Sequence, residues 1–338
     1  MDLGVLQEGR LRRSIREQQA RRRRRRRIAG FGAVLVGAAV IALLMFMSSE
    51  ASGPAIVSRA GVGSGGQSHH HATTPARPEY GVALAARARV RPHFKLPVTS
   101  GLLFDVRTGR VLWERRQTSR LPIASLTKMM TALVVVAHAT PGERVLITRA
   151  AIDYSGSGVG LLPLHKKVRL ETLLYGLMLP SGNDAAIALA QHVAGTQGRF
   201  IAMMNARAHE MGLRCTHFTT VSGIVDHGNY SCASDLAVIA HAVLTQRRLG
   251  RIVATRDAVL PFPIKGGKLW LYNNNPLLRM RYPGADGVKT GYTLAAGPCL
   301  VAAARRGHKW LAVVLLHSDD PPGQAQKLLN AGFATRGA

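Results

Sequence analysis

Ala124-Ser125-Leu126-Thr127-Lys128-Met129-Met130-Thr131-Ala132-Leu133 opens a largely apolar run that continues to His138 and is stopped by Ala139-Thr140-Pro141-Gly142. A run of that length predicts a helix from Ser125 to His138, buried on most sides. Such a helix has no packing need for a serine and a lysine. Their i, i+3 spacing sets hydroxyl and amine on one face, within reach of each other. A serine is a poor nucleophile near neutral pH, and a lysine becomes its base only when burial and nearby positive charge lower the amine's pKa. Lys128 falls in the first helical turn, where the positive end of the helix dipole also disfavours protonation. Ser-x-x-Lys recurs by chance in many chains, so its reading depends on what the rest of the sequence supplies.

Upstream, Val98 to Val106, the turn Thr108-Gly109 and Val111-Leu112-Trp113 read as strand, tight turn, strand. Downstream, Leu173 to Leu179 and Asp184 to Val193 read as helices joined at Pro180-Ser181-Gly182-Asn183 and closed by Gly195, with a further helix from Arg199 to Met211. Val288 to Tyr292, Leu300 to Ala304 and Leu311 to His317 read as strands, the last two a hairpin over Arg306-Gly307-His308. An amphipathic helix from Gln324 to Phe333 closes the chain. Strands at both ends with helices between them predict an α/β (α+β) domain. Its single sheet draws its edges from opposite ends of the sequence and is covered by an all-helical middle.

Two more short motifs fall where chemistry needs them. Ser181-Gly182-Asn183 sits at the joint between two helices: Ser181 is placed to relay a proton between Lys128 and a leaving group. Asn183 both donates and accepts, and so suits a substrate amide and the lysine. Taken alone the pair is an ordinary helix N-cap. Lys289-Thr290-Gly291 lies on a strand, where Gly291 allows an extended peptide to approach edge-on and Lys289 and Thr290 meet its carboxylate. Lys289 also adds a second cation to depress the pKa of Lys128. The backbone N–H groups of Ser125 and Tyr292 are then the natural oxyanion donors. The three motifs in this order, each on the element its role requires, point to one shared site.

The formal charge of +27 is unevenly spread. Eleven arginines precede position 28, seven of them unbroken from Arg21 to Arg27, and the remainder still carries +19. No folded nucleic-acid reader stands beside that run, so nucleic acid is not an expected partner; anionic wall polymers and lipid headgroups suit a cationic body better. Ile28 to Met47 has no charge over 20 residues, enough for roughly 30 Å of hydrocarbon. With arginines before it, the expected topology is a single-pass, type II anchor in the cell membrane, uncleaved, with everything after it extracytoplasmic. The expected divisions are a cytoplasmic tail 1–27, a transmembrane segment 28–47, a Gly/Ser/Pro-rich linker 48–92 and a catalytic domain 93–338. His69 to His71 lie in the linker without the rigid spacing of a metal site. The cysteines fall in an oxidising compartment, and Cys215 and Cys232, flanking an irregular stretch, are the expected disulfide, with Cys299 a buried thiol.

Ala124 to Leu133, Leu174 to Ala186, Asn275-Pro276-Leu277-Leu278 and Asp286 to Thr293 resemble the penicillin-binding D-alanyl-D-alanine carboxypeptidases, and the likeness runs from about Pro92 to Arg336. The resemblance implies the fold shared with serine β-lactamases and transpeptidases, a five-stranded antiparallel sheet flanked by helices. It implies an acyl-enzyme on Ser125, with peptidoglycan stem peptides as substrate, β-lactams as inhibitors, and no metal or organic cofactor. Two departures stand out. The chain ends soon after its closing helix, leaving the anchoring to residues 28–47. Pro321-Pro322-Gly323-Gln324 also lacks the basic residue that some relatives use for the substrate carboxylate. The rival readings are a transpeptidase or endopeptidase, a non-enzymatic β-lactam sensor, and a β-lactamase. The β-lactamase needs a deacylation base, for which Glu210 is the best candidate, but its place is expected on the exposed side of its helix.

Overall fold

The computed structural model describes residues 90–335. The cytoplasmic tail, the transmembrane segment and nearly all of the linker lie outside the described residues. In chain order the strands are β1 Ser100–Asp105, β2 Val111–Arg115, β3 Leu121–Pro122, β4 Arg144–Leu146, β5 Lys167–Arg169, β6 Tyr230–Ser231, β7 Asp257–Pro261, β8 Lys268–Tyr272, β9 Ala285–Thr293, β10 Gly297–Arg306 and β11 Lys309–Leu316. The helices are α1 Lys128–His138, α2 Arg149–Ile152, α3 Leu170–Met178, α4 Asn183–Ala194, α5 Gln197–Glu210, α6 Ala233–Thr245, α7 Arg247–Ala254, α8 Pro276–Arg279 and α9 Pro321–Ala334.

Five strands form one antiparallel sheet in the order β2-β1-β11-β10-β9. Its edges are an early and a late strand, as the sequence predicts. Side chains alternate across a strand, and here both faces are covered. On β11, Ala312, Val314 and Leu316 enter the large core under the helical region. Leu311, Val313 and Leu315 pack on the other side with Ala325, Leu328 and Leu329 of α9. That double burial is why Leu311 to Leu316 reads as an unbroken apolar run. Helix α1 is the hub of the helical region and packs against α3, α4, α5 and α6, which accounts for its lack of a polar face.

Several details differ from the sequence expectations. Ala124–Thr127 is a 3₁₀ turn and the α-helix proper starts at Lys128. The turn is tightened from outside: Thr127 Oγ1 donates to Ala124 O and accepts from Asn229 Nδ2, 2.8 and 2.9 Å. The packed chain also reaches back into the stretch read as linker, since Val90 is buried and its N–H donates to Leu112 O of β2. Three two-stranded sheets, β3 with β6, β4 with β5 and β7 with β8, add to the main one. Among the described residues no helix is long and apolar enough to cross a membrane.

Candidate active site

The Ala124–Thr127 turn lies against β9, the edge strand of the sheet. A Cβ on Gly291 would stand 3.1 Å from both Ser125 N and Ile123 O, so a larger residue there would push turn and strand apart. Opposite Tyr292 in the ladder is Pro298, whose C=O accepts from Ser318 N on the far side. The polar backbone groups of Pro298 therefore face away from β9, and those of Tyr292 face the free edge. That edge is open to an extended peptide, and the N–H groups of Ser125 and Tyr292 belong to the two segments that meet there.

Lys128 is fully buried. Its Nζ lies 2.8 Å from Ser125 Oγ, 2.7 Å from Asn183 Oδ1 and 2.8 Å from Ser222 O. Asn183 Nδ2 donates to Ser155 O, which fixes the amide with its oxygen toward the lysine. Two of the three partners of the amine are thus pure acceptors. An uncharged amine has two hydrogens and one lone pair; Asn183 and Ser222 take the hydrogens, and the lone pair is left for the hydroxyl of Ser125. Burial pushes the Lys128 pKa well below its ordinary value, the charge of Lys289 lowers it further, and Asp184 opposes both. The three charge-bearing groups have separate duties. Asp184 accepts from Val159 N, Gly160 N and Ala185 N, 2.8–2.9 Å, and so pins the Ser155–Gly160 loop onto the start of α4.

Ser125, Lys128 and Asn183 form one hydrogen-bonded unit, and one of the two N–H groups of the Asn183 amide donates to Ser155 O. Lys289 lies under β9, buried, with Nζ donating to Thr290 O, 2.9 Å. Burial brings its pKa down to about 7. It therefore acts on the site through its charge and through the carbonyl of Thr290, while Thr290 itself is partly exposed on the strand. Ser181 occupies a left-handed backbone conformation, φ +69°, that non-glycine residues adopt at a cost. Its Oγ is buried and forms no hydrogen bond within the protein, Lys128 Nζ included.

Sequence reasoning missed the chain segment that completes the site. Ser222 contributes only a carbonyl, for which no residue type is diagnostic. Gly223 (φ +75°) is the one visible signal: a Cβ there would sit 1.9 Å from Ala124 O. The same segment sends Asn229 to Thr127 and Asp226 to the hydroxyl of Thr293 on β9, 2.7 Å. The Cys215–Cys232 disulfide closes this segment at its base, and Asp235 accepts from Cys215 N and Thr216 Oγ1 beside it. Cys299 is a free, buried thiol whose pKa burial pushes up to about 11. Glu210 is exposed on α5 and pairs with Arg207 at 2.8 Å, as expected of a surface residue.

The sequence profile described as D-alanyl-D-alanine carboxypeptidase matches residues 87–320. The chain belongs to the D-alanyl-D-alanine carboxypeptidase family. Among curated relatives, D-alanyl-D-alanine carboxypeptidase DacF of Bacillus subtilis is 33% identical over 243 residues, 70% of this chain and 62% of that protein. The D-alanyl-D-alanine carboxypeptidase of Streptomyces sp. strain K15 is 36% identical over 271 residues, 75% of this chain and 92% of that one. The chain thus spans less than two thirds of the Bacillus relative and nearly all of the Streptomyces one. The solved structure of the Streptomyces K15 DD-transpeptidase superposes with a TM-score of 0.66 at 36% identity, covering 70% of this chain and 97% of that chain. The matched region of the family is the domain that carries the Ser125, Lys128 and Asn183 unit.

Proposed function

We propose that this chain is a serine-type D-alanyl-D-alanine carboxypeptidase that removes the terminal D-Ala from peptidoglycan stem peptides through an acyl-enzyme on Ser125. The observation that carries the reading is the environment of Lys128: a buried amine within hydrogen-bond distance of the Ser125 hydroxyl and of two fixed acceptor oxygens, Asn183 Oδ1 and Ser222 O. Ser125 Oγ attacks the carbonyl carbon between the two D-alanines and its proton passes to Lys128 Nζ. The N–H groups of Ser125 and Tyr292 receive the oxyanion. Collapse of the tetrahedral intermediate breaks the peptide bond, and the proton travels through Ser181 to the departing amine. Water then cleaves the ester, releasing the shortened peptide and Ser125. Thr290 meets the terminal carboxylate, with the charge of Lys289 behind it. A β-lactam acylates the same hydroxyl but keeps its leaving group attached, which makes a long-lived adduct the expected outcome.

Incubation with a pentapeptide ending in D-Ala-D-Ala tests the reading directly. Wild type releases D-Ala and takes up labelled penicillin in equal molar amount; Ser125→Ala does neither. D-Ala release that persists in Ser125→Ala would reject the assignment, and rapid turnover of penicillin without labelled protein would favour a β-lactamase. A transpeptidase reading is favoured by the name of the Streptomyces K15 structure. The same acyl-enzyme serves both reactions, so adding an amine acceptor and separating hydrolysed from transferred product decides between them. The reading also places the domain outside the cytoplasmic membrane, tethered by the uncharged stretch 28–47 behind Arg21 to Arg27. Cell fractionation with and without residues 1–47 tests that placement.

A further inference from the structure

The β7–β8 hairpin has one face in the core and one bare. Leu269 and Leu271 are buried in the main core, with Ala258 and Leu260 packed against it. The opposite face carries Val259 directly across from Trp270 and Asp257 across from Tyr272. Trp270 and Tyr272 are 62% and 61% exposed, and Val259 and Met280 are exposed as well. At the base of the hairpin an open cleft of about 530 Å³ is lined by Arg256, Asp257, Leu278, Arg281, Tyr282 and Pro283 among others, which brings the Leu278–Arg281 segment to the foot of β7.

The charges around this face are predominantly positive. Lys265, Lys268, Arg279 and Arg281 are exposed, and none of them has an ion pair among the described residues. The hairpin's single acid, Asp257, is already paired with Arg256 Nε at 2.7 Å. Uncompensated cations on both sides of exposed aromatic rings are the pattern of an interfacial surface. Trp and Tyr settle at the headgroup level of a bilayer, and each cation near an anionic leaflet adds about 1 kcal/mol of attraction. We propose that the outer face of the β7–β8 hairpin, with the basic cleft at its base, is a docking surface for an anionic phospholipid bilayer.

Docking there would bear on the active site. The chain leaving β8 is tied to the Ser181 turn, Asn274 N donating to Leu179 O and Asn274 Nδ2 to Pro180 O, 3.0 and 3.1 Å. A bilayer held by Trp270 and Tyr272 therefore sets the orientation of the catalytic groove above the membrane. The vesicle test below omits residues 28–47 and so reads this surface alone.

The fragment 74–338 contains every described residue, and the solved K15 structure, 97% of which the chain covers, is of this same domain on its own. This fragment, mixed with vesicles of phosphatidylcholine alone or with one third phosphatidylglycerol, should sediment with the anionic vesicles only and be released by 0.5 M salt. Lys268→Gln and Arg281→Gln should each weaken binding about fivefold, and Trp270→Ala with Tyr272→Ala should abolish it. Penicillin labelling of Ser125 in every variant verifies that the fold is intact. Brominated lipid should quench the wild-type tryptophan emission, and Trp270→Phe should remove the quenching. Equal binding to neutral vesicles, binding unchanged in the variants, or no vesicle binding would overturn the proposal. So would retention only on insoluble peptidoglycan, which would reassign the aromatic pair to a glycan.

Discussion

A lysine that must take a proton from a serine has to be uncharged while the serine is still a hydroxyl, and Lys128 meets that condition by burial first and by the charge of Lys289 second. Removing the second influence raises the Lys128 pKa, so Lys289→Met should move the acidic limb of the pH profile of penicillin acylation to higher pH. An unmoved limb would show that Lys289 serves the carbonyl of Thr290 alone. Lys128→Ala removes the base itself and should slow acylation by about 10²- to 10⁴-fold, the usual worth of a general base, with the protein still folded by circular dichroism. Gly223→Ala tests the opposite kind of constraint. Its Cβ would strike Ala124 O from a left-handed backbone, and a loss of about 3 kcal/mol in urea unfolding is expected, together with reduced labelling. These positions differ in how far the sequence reveals them. Ser125, Lys128 and Asn183 announce themselves by residue type and spacing. Ser222 acts through a backbone oxygen, which every residue has, and only the glycine after it hints that the backbone is crowded there.

At the scale of elements, the segment between Cys215 and Cys232 works as a clasp. It touches the nucleophile turn through Asn229, the base through Ser222 and the substrate strand through Asp226. Asp226→Asn keeps the shape and weakens the bond to Thr293, so β9 should bind peptide less firmly at unchanged chemistry. A KM raised about fivefold with kcat within about twofold is the expected result, from a hydrogen bond worth about 1 kcal/mol. A fall in kcat at constant KM would place Asp226 in the chemistry instead. The disulfide closes this clasp over a sequence separation of 17, and chain entropy assigns it about 3 kcal/mol. Urea unfolding with and without reductant measures that difference, and coincident curves would deny the bridge any role. The long helices and the three C-terminal strands were legible because each is an apolar run of helical or strand length bounded by Gly, Pro or polar turn residues. Strands of two or three residues, such as β3 and β6, have no period to read. The β7–β8 hairpin has one, but its outward Val259, Trp270 and Tyr272 blur the contrast between a buried and a solvated face.

For the molecule as a whole, the sheet order follows from the sequence because a chain with strands at both ends has few ways to close one core. The same reasoning says nothing of what it costs to keep two lysines inside. Lys289 has a folded pKa near 7 against an ordinary 10.5. Below about 7 it is protonated in both states, and the penalty of burying that charge is carried in full. Between about 7 and 10.5 the folded group is largely neutral and the unfolded one protonated. Unfolding then takes up a proton, and raising the pH stabilises the fold by about 1.4 kcal/mol per pH unit for this group. Lys128, shifted in the same direction, adds to the slope. Cys299 works against it at higher pH, since its thiol, held up to about 11 when buried, ionises more readily once unfolded. The window from pH 7 to 8.5 isolates the lysines. Across it the free energy of urea unfolding should rise for the wild type and rise less steeply for Lys289→Met. Equal slopes in the two proteins would mean that Lys289 stays charged inside the fold across this window, leaving the slope to Lys128 while the cation that lowers the Lys128 pKa stays in place.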